Sequence, residues 1–401
     1  MLELEIALAR VLASLPPPGA ELVPLMQASG RVLAESVVSP SDLPLFDNSG
    51  MDGYAVRAVD VKHASPDSPV RLKIKARIPA GEFFPGELTA GECARLFTGS
   101  PMPRGVDAVV MQEDTRVEAG QSEEVFICDS ADVGENVRRQ GEDVRKGTTL
   151  LQAGAALTPG AINLLAAGGT AQVSVGRQPV VGLLATGSEL REPCATLSPG
   201  QIYESNRAML SPLVALAGGI PKIYPLVPDT LHATRSALET AFNECDCVVT
   251  SGGVSVGEMD FVKAAFEALG GEFNFWKVAI RPGKPFVFGQ LGKKLLFGLP
   301  GNPVSAFVTF LLLVRPALRR WQGAREVDLP VQTGQLAEVI ANPGERRHFM
   351  RVRINDQGEV RSAGVQASHM LASLASADGL LDLQPQTTLP AGTMVRVLRI
   401  Q

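Results

Sequence analysis

From Pro179 onward the chain alternates short apolar runs with segments of helical spacing, and no other feature constrains the fold as strongly. PVVGLLATG, IPKIYPLV, CDCVVTSGG and KKLLFGL read as strands, with SNRAMLSPLVALAGG, TLHATRSALETAFNE and FVKAAFEALGG as helices among them. An apolar run, a helix and a second apolar run make a βαβ unit, whose parallel strands are covered by the crossover helices. KKLLFGL leads through PGNP into a further helix expected from Pro303 to about Trp321.

The flanking regions differ. Earlier in the chain, period-two alternation such as Val70, Leu72, Ile74, Ala76 and Ile78 is broken by many Gly and Pro turns, while the stretches 1–45 and 145–175 read as helical. After Gly323 the strands become short and polar, as in PVQTGQLAEV, HFMRVRIND and MVRVLRI. A chain of 401 residues exceeds what one hydrophobic core serves. The expected class is therefore multidomain α/β plus β: a helical base (1–45 and 145–175), a β-rich insertion (46–144), an α/β domain with a parallel-type sheet (176–323) and a small β domain (324–401).

Lys and Arg number 37 against 42 Asp and Glu, a net charge of −5, so a broad basic face for nucleic acid or an anionic membrane is not expected and any anion site must be local. The start, MLELEIALARVLASL, carries early acidic residues and reads as an amphipathic helix rather than a secretory signal. The apolar run from Val304 ends at Arg315, well short of the ~20 residues that span a bilayer. A cytoplasmic protein is expected. Cys93, Cys128, Cys194, Cys245 and Cys247 are odd in number and form no C-x-x-C pair, which points to buried thiols rather than disulfides or zinc.

CDCVVTSGGVSVGEMD sets Thr250, Ser251, Gly252 and Gly253 directly after an apolar strand, where open sheets bind ligands. Glycines let backbone N–H groups approach an oxyanion, and the hydroxyls of Ser251 and Ser255 add donors, although a tight turn explains the same residues. Asp260, at the start of the next helix, suits a cap or a metal ligand. In LPGNPVSA, Pro300, Gly301 and Asn302 precede a helix whose N-terminus attracts anions, while Asn302 is equally a good cap. Lys277, Arg281 and Lys284 cluster in WKVAIRPGKP, where extended geometry puts Lys277 and Arg281 on one face; a solvated strand end would look the same. Glu189 and Asp229 follow two other strands, so with Asp260 they would share one rim of the sheet. Carboxylates, cations and glycine turns together suit a Mg²⁺–phosphate ligand. Asp52 in FDNSGMDGYAV, Thr98 in LFTGSPMPRGVDAVVMQED and Asp143 in RQGEDVRKG lie in stretches that turn chemistry alone also explains.

Taken in order, FDNSGMDGYAV, FTGSPMPRGVDAVVMQED, RRQGEDVRKG, ATGSEL, TSGGVSVGEMD, WKVAIRPGKP and LPGNPVSA resemble the MoeA family of molybdopterin molybdenumtransferases, including the E domain of gephyrin. The likeness covers nearly the whole chain and is thinnest over 324–401, where Phe349 to Arg351 and QASHM carry it. It implies a helical base with a β-rich insertion, a MogA-like α/β molybdopterin-binding domain and a small C-terminal β-barrel. It also implies a homodimer with its cleft between the α/β domain of one subunit and the insertion of the other.

The implied reaction joins molybdate to adenylylated molybdopterin and releases AMP and molybdenum cofactor. By the same resemblance Asp52, Thr98, Asp143, Glu189, Asp229 and Asp260 are catalytic, with Glu189, Asp229 and Asp260 holding Mg²⁺. Lys277, Arg281, Arg351 and Ser368 would hold molybdate. Ser251, Gly252, Gly253, Pro300, Gly301 and Asn302 would cradle the pterin phosphate and AMP, with Asp52 and Asp143 closing the cleft from the partner subunit, and Lys284 of the cationic cluster is also expected to bind substrate. Many members carry lysine where this chain has Arg281. Expected partners are the preceding adenylyltransferase and the enzymes that accept the finished cofactor. Two other readings are molybdopterin adenylylation, since MogA-type proteins share the TSGG and PGNP turns, and a gephyrin-like scaffold. Asp52, Thr98 and Asp143 in an additional domain favour the insertion step, and the sequence has no long linker of the kind a scaffold would use.

Overall fold

The alternating runs after Pro179 form one six-stranded sheet, in the order Ile220–Ile223, Val180–Ala185, Cys247–Ser251, Lys294–Leu299, Val287–Leu291 and Glu272–Phe275. The first four strands pair in parallel and the last two join through antiparallel pairings, so the sheet is mixed. Its hairpin turns at Gly292, whose φ of 58° suits a two-residue connection between strands. Side chains alternate between two cores. Val181, Leu183, Val249 and Phe297 enter one, whereas Leu184, Val248 and Leu296 enter the other. Burial on both faces is why these strands read as unbroken apolar runs. Each such side chain contributes about 1.5–3 kcal/mol.

In this computed structural model, which describes residues 1–118, 123–253 and 261–400, the chain separates into two units. The larger contains Met1–Glu35, Ala153–Thr158 and Gln172–Gln401; the smaller contains Ser36–Gln152 and Pro159–Ala171. Within the larger unit the helices Asn206–Leu216, Leu231–Glu244 and Phe261–Ala268 pack on the sheet. Thr230 caps the second, its hydroxyl accepting from the Ala233 N–H at 3.2 Å. The segment from Pro303 to Trp321 is helical as expected, but Phe310–Val314 winds as a wider π turn. That turn lies just before Pro316, which brings no N–H to the regular ladder.

The C-terminal strands Arg347–Ile354, Glu359–Ser362, Val331–Leu336, Met394–Arg399 and Gly379–Leu383 close on themselves as a small barrel. Ile280–Arg281 adds to its edge, parallel to Arg347 and His348. Just upstream, Leu2 bridges in parallel to Val278, donating to the Lys277 carbonyl at 2.9 Å and accepting from the Ala279 N–H at 2.8 Å. The helix Leu4–Ala13 then buries Leu4, Ala7 and Val11 in the main core.

The smaller unit is built on a sheet ordered Ala108–Met111, Gly53–Val56, Glu92–Leu96, Val70–Ile78, Glu124–Ile127 and Thr115–Arg116. Tyr54 and Val56 enter one core and Ala55 another, so this sheet too is covered on both faces. Each stretch read as helical keeps one helix, Leu4–Ala13 and Pro159–Ala167. Each also contributes short strands, such as Ala20–Pro24 paired with Gln172–Gly176. Among the described residues all five cysteines are free, and Cys194 is exposed rather than buried because it sits in a surface turn at a φ of 73°. No helix among the described residues is long and apolar enough to cross a membrane.

Candidate functional site

The parallel strands of the larger unit deliver their carboxyl-end loops to one rim, the place where open α/β sheets bind ligands. There they line a cavity of about 560 Å³ that includes Glu189, Asp229, Ser251, Gly252, Gly253, Gly301 and Asn302. The glycines are required by geometry. Gly252 has a φ of 87°, and a Cβ on it would come within 2.7 Å of the Thr186 carbonyl oxygen. Gly253 has a φ of 66°, and a Cβ there would meet the Thr186 hydroxyl at 2.7 Å. A Cβ on Gly301 would lie 3.7 Å from the Gly252 Cα, so the two glycine turns face each other at ordinary contact distance.

Asn206 braces both turns. Its buried side-chain amide donates to the Ser251 hydroxyl at 2.6 Å and to the Gly301 carbonyl at 2.7 Å. Asn206 opens the helix read from SNRAMLSPLVALAGG, where a helix start alone accounts for an asparagine, so no local signal marks its role. Nearby, buried Arg207 donates to Glu204 at 2.9 Å and to Glu192 at 2.8 Å, so the Glu204 charge at the cavity wall is already paired. Glu189 is exposed and makes no side-chain hydrogen bond among the described residues.

A second cavity of about 410 Å³ adjoins the first and differs in charge. Arg281, Lys284 and Arg346 line it with Ser305, Gln366 and Ser368, and no carboxylate is among its described lining residues. The RPGK turn is positioned by the barrel edge and by Gly283, which has a φ of 112° and would push a Cβ to 2.4 Å from Thr309. Arg346 donates to the Ile280 carbonyl at 2.9 Å.

The loop bearing Ser368 is held from beneath by Arg351, which is 0% exposed. Its Nε donates to Ser373 at 3.1 Å, and its Nη2 to the carbonyls of Val365 at 2.7 Å and Ala367 at 3.2 Å. Burial pushes this guanidinium below its usual value. The Ser368 carbonyl accepts from the Val304 N–H at 3.2 Å, occupying one of the donors that the helix N-terminus would otherwise offer an anion. Buried His348 is the Cα partner of Arg281, and its Nε2 has no hydrogen bond among the described residues. Burial, then the charges of Arg281, Arg351 and Arg346, push its imidazole down to about 4.

The structure gathers many of the residues singled out from the sequence in two neighbouring chambers. Glu189, Asp229, Ser251, Gly252, Gly253, Gly301 and Asn302 meet in the first, and Arg281, Lys284, Pro300, Asn302 and Ser368 in the second. Two residues are placed elsewhere. Lys277 lines a separate cavity with Met1, Leu2, Arg10, Phe275 and Trp276, because bends at Trp276 and Ala279 break the extended run that would have aligned it with Arg281. Arg351 lies behind the loop and lines neither chamber. Asp260 and Ser255 fall outside the described residues. In the smaller unit, the Asp52 carboxylate accepts from both the backbone N–H and the hydroxyl of Thr98 at 2.8 Å, which holds it below the usual carboxylate range. Asp143 is exposed, its backbone N–H bonded to the Leu43 carbonyl at 3.1 Å.

Residues 2–169 match the MoeA N-terminal region (domain I and II), residues 182–320 the probable molybdopterin binding domain, and residues 333–400 the MoeA C-terminal region (domain IV). The chain belongs to the MoeA family. It is 39% identical to a molybdopterin molybdenumtransferase of Haemophilus influenzae over 99% of this chain and 98% of that protein. It is 41% identical to molybdopterin molybdenumtransferase 2 of Mycobacterium tuberculosis over 94% of each. The crystal structure of a molybdopterin biosynthesis MoeA protein from Pyrococcus horikoshii superposes with a TM-score of 0.83 at 32% identity, covering 99% of both chains.

Proposed function

We propose that this chain performs the insertion step of molybdenum cofactor biosynthesis, transferring molybdenum from molybdate into adenylylated molybdopterin and releasing AMP. The observation that carries the proposal is the pair of adjoining chambers, one bearing carboxylates beside glycine turns and one whose described lining carries cations and no carboxylate. Full-length relatives named for this transfer support it over adenylylation or a scaffold role.

In the first chamber the Gly253 N–H and the Asn302 amide, neither bonded among the described residues, face the phosphates of the adenylylated pterin. Mg²⁺ fits there: one or two carboxylates plus phosphate oxygens and water are its usual ligands, and Glu189 and Asp229 both line the cavity. When bound, the ion would neutralise and polarise the phosphoanhydride. Among the described residues no group of three or more His, Cys, Asp or Glu could hold a metal, so substrate oxygens and Asp260 would complete its shell. In the second chamber Arg281, Lys284, Arg346 and Ser368 hold molybdate through its oxygens. Charge-assisted hydrogen bonds contribute about 1.5–3 kcal/mol each, and the guanidinium fork of Arg281 suits a tetrahedral oxyanion. Arg351 acts by holding the loop.

The reading includes a cytoplasmic homodimer in which Asp52, Thr98 and Asp143 serve substrate bound by the partner subunit. It also includes receipt of substrate from the adenylyltransferase and delivery of the product to cofactor-accepting enzymes. The test is to mix purified protein with adenylylated molybdopterin and Mg²⁺, with and without molybdate. Molybdate-dependent AMP release, and a product that activates a cofactor-free molybdoenzyme, are expected. Adenylylated product formed from ATP, with no AMP release, would instead establish the adenylylation step.

A further inference from the structure

Among the described residues only Asn302 and His369 line both chambers, and of these two only His369 has a side chain that can both take up and give up a proton. His369 is exposed, and its imidazole makes no hydrogen bond among the described residues. Its backbone, by contrast, is fixed on both sides. Ser368 is tied to Val304, the Met370 N–H donates to the Ala367 carbonyl at 3.3 Å, and Ser373 donates to the Met370 carbonyl at 2.9 Å. A free imidazole on an anchored loop, at the seam of a carboxylate-bearing and a cationic chamber, invites a chemical role.

The insertion reaction moves protons that such a group can carry. Joining a dithiol to molybdate forms two Mo–S bonds and breaks one Mo–O bond and two S–H bonds. The oxygen leaves as water carrying the two thiol protons, the charge is conserved, and molybdenum stays hexavalent. An oxo ligand cannot depart unprotonated, and guanidinium groups such as those of Arg281 and Arg346 do not release protons near neutrality, whereas imidazole as a class exchanges them there.

We propose that His369 is the catalytic acid–base of this exchange, taking a proton from each pterin thiol in turn and passing it to the departing molybdate oxygen. This rests on the insertion reading above. The test compares wild type with His369→Gln and His369→Ala in molybdate-dependent cofactor formation across pH 5.5–9. General acid–base catalysis typically contributes ~10²–10⁴-fold, so His369→Gln should lose at least about 10²-fold in kcat. The KM for molybdate and the melting temperature should change little, the pH dependence of kcat should flatten, and added imidazole should restore rate to His369→Ala. Wild-type kcat and pH profile in His369→Gln, or a defect confined to the KM for molybdate, would overturn the proposal while leaving the insertion reading intact. Wild-type protein that forms no cofactor would overturn both.

Discussion

Ser188 and Asp229 hold each other by exchange: the Ser188 N–H donates to the Asp229 carboxylate at 2.8 Å, and the Asp229 N–H donates to the Ser188 hydroxyl at 3.1 Å. This reciprocal pair joins the loops after two neighbouring parallel strands. It also takes up Asp229 Oδ2, while Oδ1 of this cavity-lining side chain makes no hydrogen bond among the described residues. Asp229→Asn preserves the shape and one acceptor while removing charge. It should therefore raise the Mg²⁺ concentration needed for half-maximal AMP release by about tenfold or more with little change in melting temperature. Ser188→Ala removes one neutral hydrogen bond, worth about 1 kcal/mol, and should act more mildly on the same titration.

The two glycine turns should respond oppositely to an added methyl group. Gly252→Ala meets both a positive φ and the Thr186 carbonyl, so a stability loss of about 1–3 kcal/mol with loss of activity is expected. Gly301→Ala meets only an ordinary contact and should melt like wild type. Its methyl group nevertheless narrows the gap between the turns, so substrate affinity should fall. Calorimetric melting and substrate titration separate the two outcomes.

Asn206→Ala removes the brace between the turns and leaves the Ser251 hydroxyl and the Gly301 carbonyl without their donor. The expected cost is about 1–3 kcal/mol, with the KM for adenylylated substrate rising more than kcat falls. Steady-state kinetics would show the split.

Arg351→Met should weaken molybdate binding without removing any group that lines the chamber. The loop carbonyls of Val365 and Ala367 and the Ser373 hydroxyl would lose a buried donor, at about 2–4 kcal/mol. A molybdate KM that rises along with a lower unfolding midpoint is the expected signature.

His348 gives the fold a defined acid sensitivity. Its imidazole titrates near 4 when folded against 6.5 as the reference value, and the groups facing it are Arg281, Arg351 and Arg346. The unfolded chain therefore binds the proton first as pH falls. The stabilisation from keeping this ring neutral is complete above about pH 6.5 and is lost progressively down to about 4. Its upper size is about 3 kcal/mol. Denaturant unfolding of wild type and His348→Gln should converge across that window, since the variant lacks this titration; parallel curves would refute it.

The α/β sheet was readable because strands buried on both faces, such as Val180–Ala185 and Cys247–Ser251, leave unbroken apolar runs. The rim residues followed from it, since a strand's end locates its loop. What escaped was set by contacts distant in sequence. Lys277 is drawn aside by pairing with Leu2, and Arg351 is turned to a loop rather than a cavity. Arg346 and His369 reach the cationic chamber only because the barrel docks beside the RPGK turn. No local periodicity announces such pairings. Asn206 was hidden for a different reason, because a helix-start asparagine has a sufficient local explanation.

The short pairing of Ile280–Arg281 with Arg347–His348 makes the terminal barrel a wall of the cationic chamber rather than an appendage. A barrel borrowed from a cousin would bring its own version of half that chamber. On the reading proposed above, a change in oxyanion preference would draw on both sides of one seam, between residues some 65–90 positions apart in the chain.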